Sequence, residues 1–296
     1  MSVDFYESSQ QLGDPIQLFR FTYGTEPGEY FAYTDHTQAV TADHGGAIGE
    51  VTYEPVPIDR EAIVADGTLD RSAIKINFDI DTGIAELFRV YPPSNVVTLV
   101  IYHGHLDDPD GAFSAVWSGR VLGAAREGSE LTLQGVPVSS QMLRPGLRRH
   151  YQYGCPHALY GPQCRADKAA ATVAATVASL TATTVTLTAG WEGTFDPGKF
   201  VRGMLEWTPA GQSTQRRTII RRSGDTLTLS GITKDLDVAD AVAVVLGCNH
   251  RAFADKDGDC EGLHVPVDGL TPTNLPNFGG DPWIPLKNII NKNPYY

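Results

Sequence analysis

The sequence lacks the features that mark several large classes of protein. It contains no run of about 18 apolar residues, so no membrane-spanning helix is expected. Its N-terminal residues show no basic region followed by an apolar core, so we expect no secretory signal peptide and folding in the cytoplasm. Acidic side chains outnumber basic ones, with a formal net charge of −12, which argues against a general nucleic-acid binder that neutralises phosphates.

Catalytic motifs are also missing from the sequence. It has no G-x-S-x-G nucleophile elbow, no phosphate-binding glycine loop and no H-E-x-x-H zinc motif. We therefore expect a protein that is not an enzyme. One alternative is a cysteine-dependent hydrolase in which His150 or His157 activates Cys155, but it leaves the other three cysteines without a role.

Helical periodicity is scarce, and alternation of apolar and polar residues dominates. Residues 16–23 and 73–80 alternate as strands with one buried face do. The fold class is therefore predicted to be mainly β, built of antiparallel β-barrel or sandwich domains, with an N-terminal β domain over residues 1–138. Two short helices are expected, at residues 81–90 and 138–147.

Residues 166–247 differ in composition, since alanine, threonine and valine predominate there. Short strand patterns alternate with turn signals such as Asp196-Pro-Gly and Ser223-Gly-Asp. This predicts a small β-barrel domain inserted between two flanking segments, 139–165 and 248–296. Such an insertion is tolerated when its two ends lie close together. The last residues are rich in Pro, Asn and Gly, so we expect a loop-rich C-terminal segment that lies over the domain or on a partner.

The flanking segments hold all four cysteines of the chain. Cys155 and Cys164 lie in YGCPHALYGPQC, and Cys248 and Cys260 lie in GCNHRAFADKDGDC. Four sulfur ligands offered in two pairs from loops suit a tetrahedral metal ion or an iron–sulfur cluster. A group bound there would also hold the ends of the inserted domain together, so the two predictions support each other.

The residues alone leave alternatives to a metal site open. The spacings C-x8-C and C-x11-C are longer than those of zinc knuckles, which weakens zinc without excluding it. A disulfide within each pair is a second alternative, although the expected cytoplasmic location disfavours it, and four inert thiols are a third. His157 and His250 each follow a cysteine by two residues and are either ligands of a mixed site or neighbours that donate to sulfur.

Three stretches of this sequence resemble a known family. They are residues 151–164, the run Gly247-Cys248-Asn-His, and the run NFGGDPWIP at 277–285. They resemble the tail-tip hub proteins of long, non-contractile-tailed phages, a family that includes the lambda tail-tip protein L and the hub of gene transfer agents. The resemblance covers roughly residues 138–285, and the N-terminal domain fits it through its strand-rich character.

The resemblance implies a [4Fe-4S] cluster bound by Cys155, Cys164, Cys248 and Cys260. The alternative to this family is a zinc-stabilised β module with a binding role outside virions. It implies a structural virion protein that assembles in the host bacterial cytoplasm into a ring, typically a homotrimer, at the tail tip. The expected partners are the distal tail protein, the central receptor-binding fibre protein and the tape measure protein. DNA would pass through the ring without sequence-specific binding, because an acidic lumen repels it.

Overall fold

The structure is a computed structural model that describes residues 6–8, 13–24, 28–63, 73–90, 92–106, 108, 110–143, 146, 150–210, 212–253, 258–263 and 273–284. The chain divides into two compact units, one of residues 1–145 with 211–213 and the other of residues 146–210 with 214–296. Both units are built mostly from antiparallel strands, which confirms the predicted fold class.

The first unit contains one nine-stranded sheet. Its strands are β1 (Pro15–Thr22), β2 (Tyr30–Thr34), β3 (Val40–Asp43), β4 (Glu50–Pro55), β5 (Ile58–Arg60), β6 (Ile74–Asp79), β7 (Thr98–His105), β8 (Ser114–Glu127) and β9 (Glu130–Pro137). They are hydrogen-bonded in the order β3-β4-β2-β1-β7-β8-β9-β6-β5, and β2 and β4 form the parallel pair.

The alternation seen in the sequence builds the core of this unit. In β6, Ile74, Ile76 and Phe78 are buried, whereas Lys75 between them is exposed. Successive side chains of a strand point to opposite faces, so one face of β6 joins the apolar core and the other faces solvent. Phe21 on β1 packs edge-on against Phe78, with ring centroids 5.5 Å apart.

The two expected helices have different outcomes. A helix, α1 (Gly83–Leu87), lies at the first position, and the Thr82 side chain caps it by accepting from the N–H of Ala85 at 3.3 Å. At the second position the chain also forms a short helix, Val138–Leu143, which is of the 3-10 type, while residues 144, 145 and 147 lie outside the described residues. The Ser140 hydroxyl donates to the carbonyl oxygen of Pro137 at 2.7 Å, a three-residue contact that suits the tighter turn.

The second unit contains a closed six-stranded barrel. Its strands are β10 (Thr172–Leu180), β11 (Thr184–Leu187), β12 (Met204–Trp207), β13 (Gln215–Ser223), β14 (Thr226–Leu229) and β15 (Ala241–Val245). They follow the order β10-β11-β14-β13-β12-β15, and closure leaves no free sheet edge. The threonine-rich strands β11 and β14 place Val185, Leu187, Leu227 and Leu229 in the buried core. The predicted small β-barrel between the two cysteine pairs is therefore present.

The first and last strands of the barrel are neighbours. β10 pairs with β15 so that Thr172 lies opposite Val245, and the N–H of Leu246 donates to the carbonyl oxygen of Ala171 at 2.9 Å. The chain therefore enters and leaves the barrel at one place. This pairing brings the two cysteine-bearing segments side by side.

A glycine permits close packing where the chain leaves the barrel. The N–H of Gly247 donates to the carbonyl oxygen of Lys199 at 2.7 Å, and a Cβ added to Gly247 would overlap the carbonyl oxygen of Val201. The backbone immediately before Cys248 thus packs directly against the chain around the 3-10 helix Pro197–Phe200. No side chain larger than hydrogen fits at this point without a backbone shift.

Two further 3-10 helices, Cys260–Gly262 and Leu275–Asn277, lie in the part of the second unit that follows the barrel. Across the described ranges, no helix combines the length and the apolar character that crossing a bilayer requires.

Candidate cysteine-lined metal site

All four cysteines line one small, mostly enclosed cavity in the second unit. Its volume is only about 10 Å³, and its wall is completed by His157, Leu159, His250, Leu263, Asn274 and Asn277. Cys164, Cys248 and Cys260 are buried, Cys155 is half-buried, and all four are free thiols, so the disulfide alternative is wrong. The four cysteines predicted as ligands thus surround a common space.

A pair of reciprocal hydrogen bonds fixes the loop between Cys248 and Cys260. The N–H of Asn249 donates to Asp259 Oδ2 at 2.8 Å, and the N–H of Asp259 donates to Asn249 Oδ1 at 3.1 Å. The N–H of Cys260 donates to the carbonyl oxygen of Arg251 at 3.2 Å. These contacts join the two ends of the long C-x11-C spacing, so both sulfurs of this pair reach the cavity.

A second pair of contacts joins the two cysteine-bearing segments. The N–H of Cys155 donates to the carbonyl oxygen of His250 at 2.9 Å, and His250 Nδ1 lies 2.9 Å from the carbonyl oxygen of Cys155. His250 has a φ of 59°, in the left-handed region that non-glycine residues seldom adopt. This conformation turns its backbone so that its N–H donates to Cys248 Sγ at 3.3 Å.

The C-terminal segment closes the cavity through Asn274. This residue is 1% exposed, and its side-chain Nδ2 donates to Cys164 Sγ at 3.4 Å. Its carbonyl oxygen lies 3.6 Å from Cys260 Sγ. Asn274 therefore contacts one sulfur from each cysteine pair, as the expectation of a C-terminal segment lying over the domain requires.

Three of the four sulfurs accept a hydrogen bond from nitrogen. The donors are Gly279 N–H to Cys155 at 3.4 Å, Asn274 Nδ2 to Cys164, and His250 N–H to Cys248. Such N–H···S contacts stabilise negative charge on sulfur, and they surround thiolate ligands in metal–sulfur sites. The environment of these three sulfurs suits thiolate ligation.

Burial raises the pKa values of two of these thiols. The pKa of Cys248 is raised to about 11, chiefly by burial and secondarily by Asp259 and the neighbouring cysteines, although the His250 N–H opposes the shift. The pKa of Cys260 is raised to about 12 by burial and by the three other cysteines. Without a bound cation these two cysteines are protonated and poor nucleophiles. Several thiolates can occupy this space together only with a compensating positive charge.

The spacing of the ligands bears on which group would fit. Across the described part of the chain, no three His, Cys, Asp or Glu side chains are gathered closely enough to hold a single metal ion. A tetrahedral zinc–thiolate site has Zn–S bonds of about 2.3 Å, which places its sulfurs only about 3.8 Å apart. A four-iron cluster binds each thiolate to a different iron, so its ligands lie farther apart. Both groups take four thiolate ligands, so the donor set around this cavity is compatible with either of them.

The two histidines that follow cysteines make different hydrogen bonds near the sulfurs. His250 acts through its backbone N–H on Cys248, whereas His157 Nδ1 lies 3.1 Å from the carbonyl oxygen of Asn277. A Cβ added to Gly279 would overlap the His157 ring, so the ring packs closely against that residue. His157 thus contacts the C-terminal segment at two points.

Asn249, Asn274 and Gly279 were not singled out from the sequence, although each contributes a contact to the site. A single asparagine or glycine in a segment without periodicity carries no signal of its own. The one available signal is the run NFGGDPWIP, in which Gly279 stands, since it belongs to the resemblance stated above.

Comparisons with known proteins complete the description. No family model matches the sequence, and no curated protein matches it. Among solved structures, a chain of the "Virion of native gene transfer agent (GTA) particle" has a similar fold, with a TM-score of 0.73 and 16% sequence identity. The likeness covers 97% of this chain and 93% of that chain. At this identity it shows the fold alone.

Proposed function

We propose that this chain is a structural protein of a phage-like virion and forms the hub ring at the tail tip. The observation that carries the proposal is the fold likeness to a chain of a gene transfer agent virion over nearly the whole of both chains. The resemblance to tail-tip hub proteins rests instead on sequence runs that contain cysteines or lie in the C-terminal segment. The two lines of support therefore concern the same kind of particle but rest on different observations.

We propose that Cys155, Cys164, Cys248 and Cys260 hold a [4Fe-4S] cluster. The shared cavity and the N–H donors at three sulfurs support thiolate ligation, and the resemblance to tail-tip hub proteins favours a cluster over zinc. When bound, the cluster would supply four iron–sulfur cross-links. The chain's own residues would set the thiolates in place and exclude solvent from them.

The role of this site in the fold would be structural. The segments that carry the cysteines contain few hydrogen-bonded strands or helices, so their own contacts must offset a large conformational entropy. Ligation by both segments converts metal binding into folding free energy. Because the barrel begins and ends between them, the cross-link would also hold the barrel to the rest of the second unit.

In the virion, the ring would be a homotrimer that contacts the distal tail protein, the tape measure protein and the central receptor-binding fibre protein. A net charge of −12 supports a channel through which DNA passes without sticking. The closed barrel of residues 172–245 has no free strand edge, so it would decorate the ring and not join it by strand addition.

Deletion of the gene in a particle-producing strain tests the proposal. Electron microscopy should show tails without tips, or no complete tails, and expression of the wild-type chain in trans should restore them. The Cys164→Ser chain should not restore them, whereas the exposed-site variant His150→Ala should. Particles with normal tips and full infectivity in the deletion strain would overturn the assignment.

A further inference from the structure

Asn274 is aimed at the cysteine site by a local contact. The side-chain Nδ2 of Asn277 donates to Asn274 Oδ1 at 2.9 Å. That contact occupies the amide oxygen, so the amide nitrogen of Asn274 must point the other way, toward Cys164 Sγ. Burying an asparagine almost completely costs free energy unless its polar atoms make hydrogen bonds. The contact of its N–H group with sulfur must therefore stabilise the fold or the site.

Further contacts hold the rest of segment 273–284 to the cysteine-bearing segments. Besides the Asn274 contacts, the N–H of Gly279 ends on Cys155 Sγ, and the carbonyl oxygen of Asn277 meets the His157 ring. Farther along, the N–H of Asp281 donates to the carbonyl oxygen of Gln152 at 2.8 Å. The anchoring groups thus belong to the cysteine-bearing segments, and three of the contacts involve sulfur atoms themselves.

We infer that Asn274 is a positioning residue that couples the docking of segment 273–284 to ligation of the four cysteines. This inference rests on the proposed function, because it assumes that the sulfurs hold a cluster. Ligation fixes Cys155 and Cys164 at the positions where Gly279 and Asn274 can donate to them. Loss of the cluster releases both anchors, and the segment then opens.

The same hydrogen bond acts on the electronic state of the cluster. A donor to a ligating sulfur stabilises added negative charge, so it raises the reduction potential. Removing the Asn274 amide therefore lowers the potential, a change that a residue acting only as packing would not produce. The segment also displays Trp283, which is 73% exposed and lies against Phe253 with ring centroids 5.5 Å apart. Docking of segment 273–284 would thus decide whether Trp283 is held against Phe253.

The test compares Asn274→Leu and Asn274→Asp with the control His150→Ala in the full chain, purified without oxygen. Leucine keeps the shape without a donor, and aspartate adds a negative charge near sulfur, whereas His150 is exposed to solvent. Three quantities are measured: iron per chain, midpoint potential, and hydrogen exchange of the amides in 273–284 with and without the cluster.

Both Asn274 variants should show a more negative midpoint potential than the wild type, with aspartate lowest. The amides of 273–284 should exchange about tenfold faster, as loss of one hydrogen bond to a charged group predicts. Hydrogen exchange in the barrel strands should stay unchanged, which shows that the second unit of the variant is folded. A folded variant that contains less iron than the wild type would also support the inference. Wild-type potential and protection in both variants would overturn it. A wild-type chain without iron would instead refute the proposed cluster.

Discussion

Cys155 and His250 hold the two cysteine-bearing segments together by two hydrogen bonds, each 2.9 Å long. A carbonyl oxygen cannot donate, so the Nδ1 of His250 must carry the proton that it shares with the carbonyl of Cys155. The residues are far apart in the chain, yet their backbones lie in contact beside the cavity. His250 is thus a structural residue whose imidazole is used as a fixed donor.

Replacement of His250 should weaken the second unit to a degree that depends on the new residue. His250→Ala removes the donor and keeps a left-handed backbone, so we expect a loss of about 1–2 kcal/mol in the free energy of unfolding. His250→Asn tolerates a positive φ better and should lose less. Urea unfolding of the full chain, followed by tryptophan fluorescence, measures both. The exposed His150→Ala serves as control, and equal stability of His250→Ala and wild type would contradict the account.

The exit of the barrel should not tolerate any side chain at Gly247. Since an added Cβ would overlap the carbonyl oxygen of Val201, Gly247→Ala must shift the backbone next to Cys248. We expect a destabilisation of more than about 3 kcal/mol or loss of soluble protein. The matched control is Gly198→Ala, whose Cβ would meet only Asp196 Oδ1 at 3.4 Å, an ordinary contact. A Gly247→Ala chain as stable as Gly198→Ala would show that the close approach is wrong.

The four cysteines should be equivalent in their effect on the fold. If all four are ligands, replacement of Cys155, Cys164, Cys248 or Cys260 by serine should each lower the iron content and the thermal unfolding midpoint. If a hydrolase uses Cys155, the Cys155→Ser chain should lose activity and keep its stability, while the other three variants behave as the wild type. Thermal unfolding and iron analysis of the four single variants distinguish these outcomes.

The first unit should lose stability as the pH falls through the range in which histidine titrates. Burial, and then the charge of Arg20, lower the pKa of His44, while Asp43 opposes the shift. His44 Nε2 lies 2.6 Å from the hydroxyl of Tyr53, and its ring stacks on Tyr102 with centroids 4.0 Å apart. Because the folded pKa lies below the unfolded value, the unfolded chain binds more protons below about pH 6.5 and acid disfavours folding.

The variant His44→Gln keeps a neutral polar group for the Tyr53 hydroxyl and cannot become protonated. Between pH 8 and pH 5, the free energy of unfolding of the first unit should fall more steeply for the wild type than for this variant. Urea unfolding at several pH values, followed by far-UV circular dichroism, measures the two slopes. Parallel curves would mean that His44 does not contribute to acid sensitivity.

The strands and the barrel could be predicted from the sequence because their signals are local. In β6 buried residues alternate with residues that are mostly exposed, as the sequence pattern predicts. In β11 and β14 buried residues alternate with half-buried ones. The sequence also predicted that the four cysteines belong to one site, and all four line one cavity. That they act together as ligands stays a prediction.

The surroundings of the sulfurs could not be predicted, because they depend on long-range contacts. The partners of Asn274 and Gly279 lie more than 100 residues earlier in the chain, with separations of 110 and 124 residues. The left-handed φ of His250 likewise has no signal in the sequence, because only a few per cent of non-glycine residues adopt it and histidine itself does not mark it. At shorter range, the sequence predicted a short helix near Val138–Leu143 but not that it would be a 3-10 helix.

Analysis of iron, sulfide and zinc per chain, with the visible spectrum of protein purified without oxygen, tests the central claim most directly. We predict a brown protein with a broad sulfur-to-iron absorption band, about four irons and about four sulfides per chain, and no zinc. A colourless protein with one zinc per chain, or one with neither metal and four free thiols, would contradict the proposed cluster.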